Sequence, residues 1–238
     1  MINRKTIEFK VWGRHALFTD PLTRIGGEKC SYHVPTYEAL KGVAKSIYWK
    51  PTFIWVIDAV RIIKPIRTQT KGTKPLEYGG GNTLAIYTFL SDVEYQVRAH
   101  FEWNTHHTGL AQDRNEGKHS AVVHRMLERG GRQDIFLGTR DCQSYVEPCE
   151  FGSGNGTYDA IDRLDYGLAF HGFDYPDETG EPLLRARFWR PVMEHGVINF
   201  LRPNQCDIRK DIRPMEAKQF GQAHVRGIDL EAADLGVT

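Results

Sequence analysis

The sequence has no apolar run of the length that a transmembrane helix needs, and its N-terminal segment MINRKTIEFKVWG lacks the apolar centre of an export signal. We therefore expect a cytoplasmic protein with no membrane partner. The sequence has only four cysteines, which in the cytoplasm are expected to be reduced thiols. They form no C-x-x-C pair, so a zinc site is not predicted.

The sequence also lacks an excess of charge of either sign, since 31 Lys and Arg are balanced by 30 Asp and Glu. A nucleic-acid site would therefore depend on local clustering of basic residues. The glycine clusters at 79–81 and 152–156 do not lie between a strand and a helix, so they do not predict a dinucleotide site. No set of carboxylates has metal-binding spacing, and we predict neither a metal nor another cofactor.

The sequence does contain a regular succession of amphipathic segments. Alternating or continuous apolar residues predict strands, and apolar residues at helical spacing predict helices. In chain order these are a strand at 6–12, a helix at 35–50, strands at 52–63 and 92–103, a helix at 114–129 and a strand at 132–137. This β-α-β-β-α-β order predicts an α+β fold in which residues 1–138 form a ferredoxin-like domain, the unit that RNA-recognition modules also use.

The second part of the sequence is rich in glycine and then in short alternating segments. Strands are predicted at 166–174, 182–190 and 197–201. Residues 139–206 are therefore expected to form a glycine-rich connection and a small antiparallel β meander. Residues 207–238 show no strong period and are a tail that is a candidate for mobility.

The second predicted helix carries a Lys-His pair. His119 precedes two valines by three and four positions, so it should point inward with them, while Lys118 should lie at the edge of that face. Both follow an Asp113-x-x-Glu116 sequence that resembles a capping box, and free backbone N–H groups in a first turn attract phosphate. Such pairs are also common at the rim of a core, so the pattern alone leaves both interpretations open.

The first predicted helix carries Lys41, Lys45 and Tyr48 at spacings of four and three, which predicts a basic strip opposite the core face. Such a strip could bind RNA phosphates while the tyrosine ring stacks or donates a hydrogen bond. An ordinary solvated helix face would show the same pattern.

Several long segments together resemble one known family. They are ALFTDPLTRIGGEKCSYHVPTYEALKGVAKSIYWKP (16–51), KPLEYGGGNTLAIYTFL (74–90), DRNEGKH (113–119), DIFLGTRDCQSYVEPCEFGSG (134–154) and HGFDYPDETG (171–180). They closely resemble the pre-CRISPR-RNA processing endoribonucleases of subtype I-C systems, which belong to the fifth CRISPR-associated protein family of the RAMP superfamily. The resemblance covers roughly residues 5–205.

The resemblance implies a metal-independent endoribonuclease that cuts the repeat hairpin, stays bound to the mature guide RNA, and joins the large and backbone subunits of a type I-C interference complex. It also implies three catalytic residues, which fall on Tyr48, Lys118 and His119. The RNA 2′-OH supplies the nucleophile, so the protein must align it, accept a proton and stabilise charge. We expect His119 to be the acid/base, Lys118 to stabilise the transition state, and Tyr48 to orient the 2′-OH, with a tyrosinate base as the alternative.

Two other functions remain open at this point. Relatives in other subtypes hold the 5′ end of the guide RNA without cutting it, and a purely structural subunit of the complex would use the glycine loops and the meander for protein contacts. The Tyr-Lys-His set argues against the first of these, and free protein that neither shifts nor cuts repeat RNA would favour the second.

Overall fold

The long strand Ala85–Trp103 lies inside a nine-stranded sheet and organises the fold. The computed structural model describes residues 5–21 and 28–218. The strands are β1 (Thr6–Ala16), β2 (Phe53–Ile62), β3 (Thr68–Thr73), β4 (Ala85–Trp103), β5 (Ile135–Phe136), β6 (Gln143–Pro148), β7 (Leu164–Asp165), β8 (Ala169–Asp174), β9 (Leu183–Trp189), β10 (Val192–Glu194), β11 (Val197–Asn199) and β12 (Ile208–Pro214). The helices are α1 (Tyr37–Ile47), α2 (Glu116–Glu128) and α3 (Pro176–Thr179), with 3-10 turns at Thr108–Asp113 and Pro203–Gln205.

The main sheet has the strand order β5-β6-β1-β4-β2-β11-β10-β7, and β3 pairs with β4 outside this path. A second sheet has the order β12-β9-β8, and every strand pair in both sheets is antiparallel. Helix α1 contacts β2 of the main sheet and β8 of the second sheet, so it lies between them. The protein is a mixed α/β protein that is dominated by antiparallel sheets and has few helices.

The alternating pattern of the central strands is set by burial on one face. Ile7, Phe9 and Val11 of β1 are buried, while the residues between them are half-buried. Val97 and Phe101 of β4 are also buried. Because successive side chains of a strand point to opposite faces, the period of two in the sequence identifies the core face of both strands correctly.

Both predicted long helices are confirmed with shorter bounds, and β1, β2 and the second half of β4 coincide with predicted strands. The strand predicted at 132–137 is wrong in extent, because only Ile135–Phe136 pairs. The strand beside β1 is instead β6, which lies in the region that was expected to be an irregular connection. Only Ser144 and Val146 of β6 are buried, which is too short an alternation to stand out in the sequence.

Part of the predicted tail is ordered as a strand. β12 pairs with β9 in the second sheet, so the ordered structure continues past residue 207, where the tail was expected to begin. The remainder of that tail, from residue 219 onward, lies outside the described residues. All four cysteines are free thiols, as predicted. Within the described ranges, no helix has both the length and the apolarity to cross a membrane.

Candidate active site

The end of α1 places Tyr48 beside the start of α2. Tyr48 is the C-cap residue of α1: its N–H still donates to the carbonyl oxygen of Ala44 at 3.1 Å, but its backbone is extended, with φ −163°. The Trp55 indole Nε1 of β2 donates to the carbonyl oxygen of Tyr48 at 2.8 Å. These two bonds hold a buried tyrosine at the junction between the helix and the sheet.

Helix α2 begins at a different cap from the one expected. The Asn115 side chain accepts a hydrogen bond from the Lys118 backbone N–H at 3.0 Å, so Asn115 is the N-cap. The capping box predicted at Asp113 and Glu116 is therefore wrong, because the chain turns into the helix two residues later. The Asp113 carboxylate is left to bond side chains instead.

His119 is fully buried among aromatic rings of the main sheet. The ring centroids of Phe53, Phe101 and Trp103 lie 5.4, 6.5 and 5.8 Å from that of His119, and His119 exposes none of its surface. The inward orientation predicted from the sequence is confirmed.

Two hydrogen bonds determine where His119 carries its proton. Its Nε2 lies 2.7 Å from the carbonyl oxygen of Asp113, and its Nδ1 lies 3.1 Å from the Tyr48 hydroxyl. A carbonyl oxygen only accepts, so in the neutral ring Nε2 must donate and Nδ1 must accept from Tyr48. The basic nitrogen of His119 is therefore joined to a phenol hydroxyl that lies closer to the surface.

Asp113 connects the remaining groups of the site. Its carboxylate accepts from the Thr52 hydroxyl at 2.7 Å and from the Lys118 ammonium at 2.5 Å, and it lies 3.4 Å from His119 Nε2. Burial alone would raise the pKa of the Asp113 carboxyl, but the hydrogen bonds from Lys118 and Thr52 hold it below its ordinary value. The carboxylate therefore stays ionised and fixes both the lysine and the imidazole.

Asp113 and Thr52 were missed as functional residues. The sequence indicates Asp113 as a helix cap and as a carboxylate without metal-binding spacing, and it indicates Thr52 as the start of a strand. A carboxylate five positions before a candidate lysine, in the loop that enters its helix, is the one signal that the sequence offers. Thr52 has no such signal, because only the pairing of β2 with β4 brings it beside the loop.

Lys118 lies at the open side of the site. Its side chain is 54 % exposed, and the hydrogen bond from its ammonium to Asp113 raises its pKa above the ordinary lysine value. It therefore presents a permanent positive charge to any ligand that reaches Tyr48. This agrees with its predicted position at the edge of the apolar face.

The surroundings of Tyr48 do not favour its ionisation. Burial, followed by the negative charge of Asp113, raises the pKa of the phenol, and the positive charges of Lys118 and Arg132 only partly oppose this rise. Tyr48 is therefore a neutral hydroxyl at neutral pH, and its proton points towards His119 Nδ1.

The basic strip predicted on α1 does not exist as an exposed surface. Lys41 is buried, with 1 % of its surface exposed, and forms an ion pair with Glu178 of α3. Lys45 lies 3.3 Å from the same carboxylate. The expectation of a solvated strip is wrong because the second sheet packs on this face of α1, which a sequence period cannot reveal.

Among the residues that the structure describes, no three His, Cys, Asp or Glu side chains form a group that could hold a metal ion. The polar groups around His119 are bonded to one another instead. Metal independence of the reaction remains a prediction that needs a solution experiment.

Comparisons with known proteins identify the family to which this chain is similar. The family model Cas_Cas5d, described as CRISPR-associated protein (Cas_Cas5), matches residues 6–201. A curated protein named CRISPR pre-crRNA endoribonuclease Cas5d from Mannheimia succiniciproducens is 28% identical over 238 residues, covering 84% of this chain and 95% of the relative. A protein of the same name from Thermus thermophilus is 27% identical over 195 residues, covering 78% of this chain and 80% of the relative.

A solved structure described as a CRISPR-associated protein is 34% identical, with a TM-score of 0.74 over 86% of this chain and 96% of that one. The family model covers most of the chain. The chain therefore belongs to the Cas5 family of CRISPR-associated proteins, as a member that matches its Cas5d model.

Proposed function

We propose that this protein is an endoribonuclease that cleaves pre-crRNA at one bond of the repeat hairpin. Its two curated relatives are named for this activity. The observation that carries the proposal is the hydrogen bond of 3.1 Å between the Tyr48 hydroxyl and His119 Nδ1, with the Lys118 ammonium at the open side. A phenol, an imidazole and a cation can together align a 2′-OH, accept its proton and stabilise the charge that develops on the phosphate.

The proton path follows from burial. His119 exposes none of its surface, so a 2′-OH can reach its Nδ1 only through the Tyr48 hydroxyl. In the proposed step the 2′-OH gives its proton to the Tyr48 oxygen while Tyr48 gives its own proton to His119 Nδ1. The 2′ oxygen then bonds to phosphorus, and the bond to the 5′ oxygen breaks as that oxygen takes a proton from water. The products are a 2′,3′-cyclic phosphate and a 5′-hydroxyl, and His119 returns its proton to the solvent through the Tyr48 hydroxyl. Tyr48 is thus more than an aligning group, and it is not a tyrosinate.

Lys118 stabilises the negative charge that develops on the phosphate oxygens. In the free protein Asp113 holds its ammonium, so an RNA phosphate must compete with a carboxylate. Asp113 keeps its bond to the His119 ring through the main-chain carbonyl when this exchange occurs. It is therefore a positioning residue, whereas Tyr48 and Lys118 contact the RNA.

We further propose that the mature guide RNA stays bound and that the protein joins the large and backbone subunits of a type I-C interference complex, as its family resemblance implies. Lys45 is 32% exposed and remains a candidate for RNA contact. Lys41 is committed to Glu178 and would need that ion pair to open before it could bind RNA.

We also propose a more specific fold, a ferredoxin-like unit, for part of the main sheet. Four strands of the main sheet have the order β6-β1-β4-β2, with α1 connecting β1 to β2 and α2 connecting β4 to β6. This order supports a ferredoxin-like unit extended by β11, β10 and β7 at one side. We keep the division near residue 138 as a proposal, in which β6 belongs with the first unit.

The test of this function is cleavage of labelled repeat RNA by the isolated protein in EDTA. We expect one cut, a 2′,3′-cyclic phosphate or 3′-phosphate end and a 5′-hydroxyl end. A single 2′-deoxy nucleotide 5′ to the cut should leave binding intact and stop cleavage. Cutting of the deoxy substrate at the same bond would exclude 2′-OH attack, and RNA binding without any cut would favour the handle-binding alternative.

A further inference from the structure

A groove lies at the C-terminal end of α2. It is lined by Arg129, Gly130, Gly131, Arg132, Gln133, Asp134, Ile135, Gln143, Ser144 and Tyr145, and its volume is about 540 Å³. Both glycines have positive φ, +82° and +105°, which allows the sharp turn that ends the helix. The lining is mostly polar, and its two arginines outweigh its single carboxylate.

The groove is tied to the active site through the backbone of Arg132. The Arg132 N–H lies 3.1 Å from the carbonyl oxygen of Ser46 and 3.2 Å from that of Ile47, the last residues of α1 before Tyr48. The Arg132 guanidinium is exposed, and its charge acts on the Tyr48 hydroxyl. One end of the groove is therefore tied to the end of α1 that carries Tyr48.

A line of cations continues from the active site to this groove. Lys118, Arg125 and Arg129 are separated by seven and four positions, so they lie on one face of α2, over about 16 Å at 1.5 Å per residue. Arg125, Arg129 and Arg132 are exposed. In the described part of the chain these three arginines form no ion pair, whereas Lys118 is held by Asp113.

The far wall of the groove carries an exposed aromatic ring. Tyr145 of β6 exposes 55% of its surface and lies 6.0 Å from the ring of Trp12 of β1. Trp12 is in turn covered by the Lys10 ammonium at 5.0 Å. A cationic track that leads to an exposed aromatic ring is the arrangement by which proteins bind single-stranded nucleic acid.

We propose that this face of α2 and the groove bind a single-stranded RNA segment that continues from the cleaved bond. Arg125, Arg129 and Arg132 contact its phosphates, and one unpaired base stacks on Tyr145. This inference rests on the proposed function, since it names the path of the same RNA. It assigns RNA contact to residues outside the Tyr-Lys-His set.

The first test compares two double variants by fluorescence anisotropy with repeat RNA that carries a 2′-deoxy nucleotide at the cut and cannot be cleaved. Arg129→Gln with Arg132→Gln removes two phosphate contacts. We expect the affinity at 0.1 M salt to fall by about 25-fold and the slope of log K against log salt to fall by about 1.4. The matched control is Lys210→Gln with Arg213→Gln, which removes two exposed cations from β12, and it should change neither quantity by more than about twofold.

The second test separates stacking from charge. Tyr145→Ala should weaken binding by about 5- to 150-fold, the range for loss of one base stack, whereas Tyr145→Phe should bind within about threefold of wild type. All these side chains are exposed, and a thermal melt of each variant should confirm that it folds. Wild-type affinity of the Arg129/Arg132 variant, or an equal loss of affinity in the control, would contradict RNA binding in the groove. Neither result would contradict the proposed cleavage of pre-crRNA. A wild-type protein that neither binds nor cuts the RNA would overturn both.

Discussion

Two buried histidines, His119 and His171, have the same kind of hydrogen-bond partner at Nε2 but different partners at Nδ1. Neither exposes any surface. Nε2 of each lies close to a main-chain carbonyl oxygen, that of Asp113 at 2.7 Å or that of Leu201 at 2.9 Å. Because a carbonyl oxygen only accepts, both neutral rings carry the proton on Nε2 and leave Nδ1 as the acceptor.

The two rings differ in the group that faces Nδ1. At His119 it is the Tyr48 hydroxyl, which can pass a proton on. At His171 it is the Arg187 guanidinium, whose Nε lies 3.4 Å away. Burial, and then the charge of Arg187, lowers the pKa of His171 to about 3. A buried histidine therefore becomes a candidate base only when its acceptor nitrogen faces a neutral hydroxyl.

The surrounding residues extend the parallel. Each histidine has a tyrosine beside it, Tyr48 at 6.0 Å or Tyr37 at 4.3 Å between ring centroids. Each cluster also contains a lysine with a carboxylate partner, but Lys118 is 54 % exposed, whereas the Lys41 side chain is 1 % exposed. The second cluster joins α1 to the second sheet, so we interpret it as structural. Matched substitutions in the two clusters test this distinction.

The largest difference should follow from removing the two histidines. His119→Ala should lower single-turnover cleavage by about 10²–10⁴-fold, the usual cost of losing an acid/base group. His171→Ala should lower the melting temperature, since it removes packing and the hydrogen bonds to Leu201 and Arg187. It should leave the rate per folded molecule within about threefold of wild type. Stopped assays with repeat RNA and a thermal melt measure both. Equal loss of rate in the two variants would remove the distinction.

Removing one hydroxyl from each tyrosine tests the proposed proton path. Tyr48→Phe should slow cleavage by about 10²–10⁴-fold with little change in RNA affinity, because His119 then has no route to the 2′-OH. Tyr37→Phe should cost only about 0.5–1.5 kcal/mol of stability and no rate. A loss of only two- to thirteen-fold in Tyr48→Phe would instead support a purely aligning role for this hydroxyl.

Substitutions of Lys118 and Lys41 should separate an effect on the charge of the transition state from an effect on folding stability. Lys118→Ala should slow cleavage by about 10²–10³-fold and leave the fold intact, since its side chain is at the surface. Lys41→Met should cost about 3–5 kcal/mol of unfolding free energy because it leaves Glu178 buried with a weaker partner. Chemical denaturation and single-turnover rates distinguish the two. A stable Lys41→Met variant with impaired RNA binding would indicate instead that Lys41 contacts the RNA.

The smallest effect should appear in the pH dependence of stability. The folded pKa of His171, about 3, lies below its ordinary value of 6.5, so between these values the unfolded chain binds a proton that the folded chain does not. Its contribution to stability is complete above pH 6.5 and is lost as pH falls. From pH 7.5 to pH 5, wild type should lose about 2 kcal/mol more stability than His171→Gln. Parallel losses in urea melts would contradict the low pKa.

The two long helices and the central strands were predicted correctly because the spacing of apolar residues within each element identifies its buried face. His119 was placed inward and Lys118 at the rim because the valines that follow in the same helix define its buried side. The same reasoning failed for Lys41, since its helix is covered on a second side by the second sheet. The period of apolar residues indicates which faces of a helix are apolar. It does not indicate that a lysine on that helix is buried in an ion pair with a carboxylate.

The sequence by itself determined the two long helices, the strands that alternate, and the residue types of the proposed site, because local spacing and side-chain chemistry are properties of neighbouring residues. Only the tertiary structure decided that Tyr48 meets His119, 71 positions away, and that Asp113 holds the site together. It also decided that His171 faces a guanidinium. These contacts depend on which elements pack together, and the protonation of a buried ring depends on the group opposite its acceptor nitrogen.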